Sequence, residues 1–122
     1  MLTGAPLRAA ATIAADGTTV HVRVDAGDAL DEVVLRSYCI GATHMALGWV
    51  RSEGIAVDES GEVHDLTIRS FGILRAADMP TVEVEVVPSD APPVNGSDHV
   101  FAAVAAAEWA RLGFPPAWPV QR

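Results

Sequence analysis

Residues able to do chemistry are present, yet few stand at the spacings that chemistry requires. The histidines are His21, His44, His64 and His99, and none is spaced from another, or from the single cysteine, as zinc ligands are. No metal site is therefore expected. Asp98 and His99 adjoin, as a catalytic acid–base couple would. Neighbouring residues at a helix start point in different directions, however, so Asp98 is a weak catalytic candidate. Ser37, Ser52, Ser60, Ser70, Ser89 and Ser97 include no nucleophile elbow of the G-x-S-x-G kind. The chain has no lysine, and hence no phosphate-loop lysine. His44 reads as a core histidine, Cys39 as a small buried apolar residue, and Glu83 and Glu85 as solubilising charges on a strand. What remains is "VNGSDHVF", residues 94 to 101, where a turn-forming Asn-Gly runs into a helix start. Unpaired backbone N–H groups there suit an anion or a capping side chain; Ser97 or Asp98 is expected to cap, with Gly96 allowing the turn.

The elements that must position these residues follow from periodicity. Leu7 to Ala15 and Thr18 to Val24 read as strands joined at Asp16-Gly17, a two-residue hairpin signal. A long helix follows over "DEVVLRSYCIGATHMALGWVRSEG", capped by Asp28 or Asp31 and stopped by Gly54. Val34, Tyr38, Gly41, Met45 and Gly48 lie along one side of it, and Leu35, Cys39, Ala42, Ala46 and Trp49 along the next. A helix apolar over so much of its girth demands cover on several sides, from a sheet or from a partner chain. A second hairpin is expected from Ile55 to Val57 and Val63 to Ile68, and a strand at "TVEVEVV", residues 81 to 87. The last helix spans about Asp98 to Leu112, with six alanines between Ala102 and Ala110. The expected class is α+β: a mixed or antiparallel sheet of hairpins on a long buried helix and an alanine-rich C-terminal helix.

Composition narrows the partners. The 122 residues suit one domain over 1–122, and eight arginines against sixteen acids leave a net charge of −8. Such a surface repels phosphate backbones, which argues against nucleic acid. With no apolar run of about 18 residues and no apolar signal core, a cytoplasmic chain away from membranes is expected.

The order of elements resembles the C-terminal portion of the molybdopterin-binding large subunit of the xanthine dehydrogenase, aldehyde oxidase and carbon monoxide dehydrogenase family. "VDAGDALDEVVLRSYCIGATHMALGWVRSEGIAVDESGEV" is similar to that family's Asp-x-Gly segment and small-residue helix, through Asp25-Ala26-Gly27 and His44-Met45-Ala46-Leu47-Gly48-Trp49. "LTIRSFGILRAADMPTVEVEVV" and "PPVNGSDHVFAAVAAAEW" then follow in the family's order, so that the likeness runs from about Leu7 to Leu112. It implies an oxidoreductase acting on a heteroaromatic ring or an aldehyde. Molybdopterin would be bound mainly by a partner chain, with none in the isolated chain. The implied partners are a larger molybdenum-binding subunit and iron–sulfur and flavin subunits. Aligning Phe101 with the residue after the family's Gly-Glu-Pro-Pro loop sets Ser97 where the family has its base glutamate, and Tyr38 where it has a cofactor-holding glutamine. Tyr38, Asn95, Gly96 and Ser97 are thus the cofactor-facing candidates. A serine hydroxyl does not accept a proton near neutral pH as a carboxylate does, so no catalytic residue is assigned. The expected role is a small, separately encoded subunit that completes a molybdenum hydroxylase. The alternatives are a non-catalytic binding or assembly module of the same descent, and an independent small enzyme using Asp98 and His99.

Overall fold

The computed structural model describes residues 8–54, 56–64 and 71–120. Strands β1 (Ala9–Ile13) and β2 (Thr19–Val24) pair antiparallel, from Ala9 opposite Val24 to Ile13 opposite Val20. Their connection is wider than a two-residue turn. The Asp16 carboxylate accepts from both the backbone N–H and the hydroxyl of Thr18, at 3.0 and 2.7 Å, which draws Thr18 into the turn and out of the ladder. Gly17, at φ 75°, takes the left-handed position this requires.

On its other edge β2 pairs in parallel with β5 (Thr81–Val86), giving a three-stranded mixed sheet ordered β1-β2-β5. Period-two alternation assigns its faces. Val20, Val22 and Val24 are buried, and Val82, Val84 and Val86 are half-buried beside them. On the wet face the register sets His21 against Glu83 at 3.0 Å and Arg23 against Glu85 at 3.8 Å. The two strand glutamates are thus exposed, as their alternation implied, and matched across the ladder. A separate two-stranded pairing joins β3 (Ala56–Val57) to β4 (Val63–His64). Ile55 and the expected continuation through Ile68 lie outside the described residues, as does Leu7 at the start of the first hairpin.

The core face of the sheet is covered by α1 (Glu32–Arg51) and α2 (Ser97–Arg111). Asp31 caps α1, its Oδ1 accepting from Val33 N at 2.9 Å and Val34 N at 3.2 Å. At the other end the helix stops at Ser52, two residues before Gly54. The backbone N–H groups of Ser52 and Glu53 both return to the Gly48 carbonyl, and Gly54 N is bonded to Phe71 O. Leu35, Cys39, Ala42, Ala46, Leu47 and Val50 from α1 join Val100, Val104 and Ala105 from α2 and the β2 valines in one buried cluster. Burial also raises the Cys39 thiol pKa, in keeping with an inert residue. Small side chains at 42, 46 and 105 bring the two helices close.

The cover on several sides that α1 was expected to need is supplied by this chain in part. Its own sheet and α2 enclose one side. On the other, Val33, Val34, Tyr38, Ile40, Met45 and Trp49 remain exposed, Tyr38 at 62% and Met45 at 53%. Trp49 at least meets neighbours, packing against Phe101 and edge-on against Trp118. Among the described residues, no helix is long and apolar enough to cross a membrane.

One carboxylate lies fully buried in this core. Glu108 accepts from Arg51, Nε at 2.7 Å and Nη2 at 2.6 Å, and from Arg111 Nε, while Arg111 Nη1 reaches the Ala15 carbonyl at 3.2 Å. The triad joins the ends of both helices to the first hairpin. Removing its centre leaves two largely buried guanidinium groups without the counter-charge they share, so Glu108→Ala is expected to cost about 3–5 kcal/mol in urea unfolding. Replacing all three members with apolar residues of similar volume should cost far less. A second test is set by Asp16, whose carboxyl the Thr18 hydrogen bonds hold below the usual range. A depressed folded-state pKa contributes stability that is present above the unfolded value and lost as pH falls through the folded one. The difference in Tm between the wild type and Asp16→Asn, followed by circular dichroism, should therefore narrow below about pH 4.

Candidate functional site

The loop that precedes α2 is held by the connection that precedes α1. Val87 N donates to Val24 O at 2.8 Å, Asp28 N to Ala91 O at 2.8 Å and Val94 N to Ala26 O at 2.9 Å, so residues 87–94 lie along 24–28. Gly27 makes this possible. It sits at φ 75°, and a Cβ there would overlap the Pro92 carbonyl oxygen. Its own N–H donates to Asp25 Oδ1 at 3.1 Å, which turns the chain sharply between β2 and α1.

That stapling delivers Asn95, Gly96 and Ser97 to the first turns of α1. Gly96 is the N-cap of α2 but has an ordinary φ of −86° and no side chain to cap with, so the expected capping by Ser97 or Asp98 is not what occurs. The Asn95 carboxamide does that work instead, its Oδ1 accepting from Ser97 N at 2.9 Å. Nor is Gly96 there for its backbone freedom. A Cβ would come within 3.0 Å of Val24 Cγ2 and within 3.5 Å of Ala26 Cβ, so glycine fits this tight spot with no shift of Val24.

The result is an open groove of about 530 Å³ between the start of α1 and the loop. Ala26, Leu35 and Gly96 line its base. Leu30 comes from the segment just ahead of α1, and Val34 and Tyr38 from α1 itself, at i, i+4 spacing on one face; Pro93 and Val94 come from the loop. Asn95, Ser97 and Asp31 give the polar rim. All four candidates drawn from the resemblance, Tyr38, Asn95, Gly96 and Ser97, therefore meet in one place, although 57 positions separate Tyr38 from Asn95. Leu30, Val34, Pro93 and Val94 were missed as lining residues. Val34 was readable from its i, i+4 spacing to Tyr38, whereas Leu30 ahead of the helix and the loop prolines carry no such signal.

Apart from Asp31, the rim is made of neutral hydrogen-bonding groups. Asp31 is the one carboxylate among the lining residues, and its Oδ1 already serves as the α1 cap. Asp98 is exposed and does not line the groove; His99 beside it is exposed as well. His44 lies elsewhere on α1, half-buried, with Nε2 2.6 Å from the Leu74 carbonyl oxygen. Among the described residues, no group of three His, Cys, Asp or Glu side chains could hold a metal ion.

No family model matches the chain, and no curated protein does. Solved structures do match. Quinoline 2-oxidoreductase from Pseudomonas putida 86 superposes on 85% of this chain with a TM-score of 0.72 and 18% identity, over 15% of its own length. The Cu,Mo-CO dehydrogenase in its carbon monoxide reduced state covers 85% of this chain at a TM-score of 0.62 and 18% identity, using 14% of its length. The reconstituted CO dehydrogenase from Oligotropha carboxidovorans covers 78%, at 0.57 and 20%, using 13%. At such identities the likeness is one of fold. The chain spans no more than 15% of the length of any of the three.

The capping geometry separates two residues that the sequence treats alike. Asn95→Ala should lower stability by about 1 kcal/mol, by removing the acceptor for Ser97 N. Ser97→Ala, which removes no capping bond, should change it by less than about 0.5 kcal/mol. Urea midpoints of the two variants make the comparison.

Proposed function

We propose that this chain is a small, separately encoded subunit of a molybdenum hydroxylase-type oxidoreductase, completing the fold around a molybdopterin site mainly held by a larger chain. The observation that carries the reading is the convergence of Tyr38, Asn95, Gly96 and Ser97 on one groove. The sharing of fold with short stretches of quinoline 2-oxidoreductase and CO dehydrogenase supports it.

The groove's chemistry suits one wall of such a site. The Tyr38 hydroxyl, the Asn95 amide N–H and the Ser97 hydroxyl are neutral groups over an apolar base, matched to the edge of a flat, neutral heterocycle such as a pterin. Among the described residues no arginine lines the groove, so a phosphate would be held by the larger chain. When bound, the molybdenum group would supply the oxidation of a heteroaromatic or aldehyde carbon. This chain's residues would orient that group's edge and exclude water from one side. They would not take the substrate's proton: the resemblance sets Ser97 at the family's glutamate position, and a hydroxyl is no base near neutral pH. The same lack of a base favours a second reading, a binding or assembly module of this descent without the enzyme.

The two are separated by purifying the tagged chain natively from its own host and measuring intact mass and molybdenum. The enzyme reading expects a fixed-ratio complex with a larger chain, about one molybdenum per copy, and iron–sulfur and flavin subunits alongside. It also expects less molybdenum retained in Tyr38→Ala. A complex without molybdenum would leave only the assembly module.

A further inference from the structure

We infer that the exposed side of α1 is the docking face for a helix of a larger partner chain, and that this helix crosses α1 at Gly41. The inference rests on the subunit reading above and names the surface through which that subunit would join its enzyme.

Three observations converge. The first is the absence of charge. Between Glu32 and Arg51 the only ionic side chain of α1 is Arg36, and it is turned away, bonded to Glu32 Oε1 at 2.8 Å and to the Val84 carbonyl. A helix face meant for water carries charged residues, whereas this one shows Val34, Tyr38, Met45 and Trp49 in a row. Contiguous apolar surface of that kind marks an interaction site.

The second is Gly41 itself. It lies in the middle of this row, exposed, with helical backbone, where glycine is a poor choice. Packing within the chain explains other glycines: a Cβ at Gly27 would overlap the Pro92 carbonyl oxygen, and one at Gly72 the Ser52 carbonyl oxygen. A Cβ at Gly41 would meet nothing within 4 Å. Among the described residues, packing therefore gives no reason for glycine there. A notch between Tyr38 and Met45, which lets a neighbouring backbone approach, does give one.

The third observation selects the occupant. The same fold makes up 13–15% of three much longer chains, where it is accompanied by far more polypeptide of a different kind. A second copy is disfavoured by charge, since each carries −8 and the exposed Asp28 and Asp31 stand at the start of the row. The fitting partner offers an uncharged apolar helix ridge, with basic side chains facing Asp28 and Asp31.

The test uses the full chain, tagged and expressed in its own host, as wild type, Gly41→Ala, Gly41→Met and a control, Glu59→Met, on the exposed β3–β4 turn. Free chains are compared by thermal unfolding and complexes by native mass. Because alanine is the better helix former and has room, Gly41→Ala should raise the Tm of the free chain by about 3 °C. Gly41→Met should leave the free chain folded and reduce recovery of the larger complex at least tenfold, and Glu59→Met should match the wild type. A molybdenum-containing complex indifferent to Gly41→Met would overturn the docking face and leave the functional reading standing. A Gly41-sensitive complex with a larger chain but no molybdenum would do the reverse. A pair of identical chains split by Gly41→Met, or a free chain that never associates, would overturn the inference.

Discussion

The architecture around the groove depends on the passage from β2 into α1, and within it on the room left at Gly27. The Ala26 carbonyl and the Asp28 N–H each bond to the loop that leads to α2, and the Pro92 carbonyl occupies the space a side chain at 27 would fill. Through these contacts, residues 95–97 are placed beside Tyr38. A side chain at position 27 would push the loop outward and open the groove, even though no lining residue had changed. The site is therefore a property of backbone packing first, and its chemistry is what the delivered side chains happen to offer.

A second constraint sets what the core can tolerate. With alanines at 42, 46 and 105, α1 and α2 approach closely, but small side chains contribute little apolar area of their own. The Glu108 triad compensates in geometry more than in energy. It ties the last turn of α1 to the last turn of α2, and through Ala15 to the first hairpin, so the helices are fixed where their alanines could slide. Whether such a triad is stabilising relative to an apolar substitute is a separate matter from whether breaking it is costly; desolvation of the three charges offsets much of their attraction.

How much of this could be read from residues alone varied with the range of the interactions. The strand Thr81–Val86 was legible because alternation is a local signal, and α1 because Asp31 and the apolar row mark its start and faces. The convergence of Tyr38 with Asn95, Gly96 and Ser97 was legible only through resemblance, since no local rule joins such distant residues. Details decided by competing side chains were misread. Asp16 widens the first turn, Asn95 caps α2 where Ser97 or Asp98 was expected to, and Gly96 answers to Val24 and not to its own φ. The ion triad left no sequence signal, because Arg51, Glu108 and Arg111 look like ordinary surface charges until two helices bring them together.

The two sides of α1 pose different problems of selection. The inner side is constrained by this chain: Leu35, Cys39, Ala42, Ala46 and Val50 are buried, and each meets the sheet or α2. The outer side is free of that constraint, and an unconstrained face in water drifts toward charged and strongly helix-forming residues, because these raise solubility and helix stability at once. Here it has kept Val34, Tyr38, Gly41 and Met45, which serve neither end. The groove opens onto that same face at Val34 and Tyr38. A surface that would complete the groove and a surface that would cover the helix are thus contiguous, and one partner segment laid along α1 would meet both requirements.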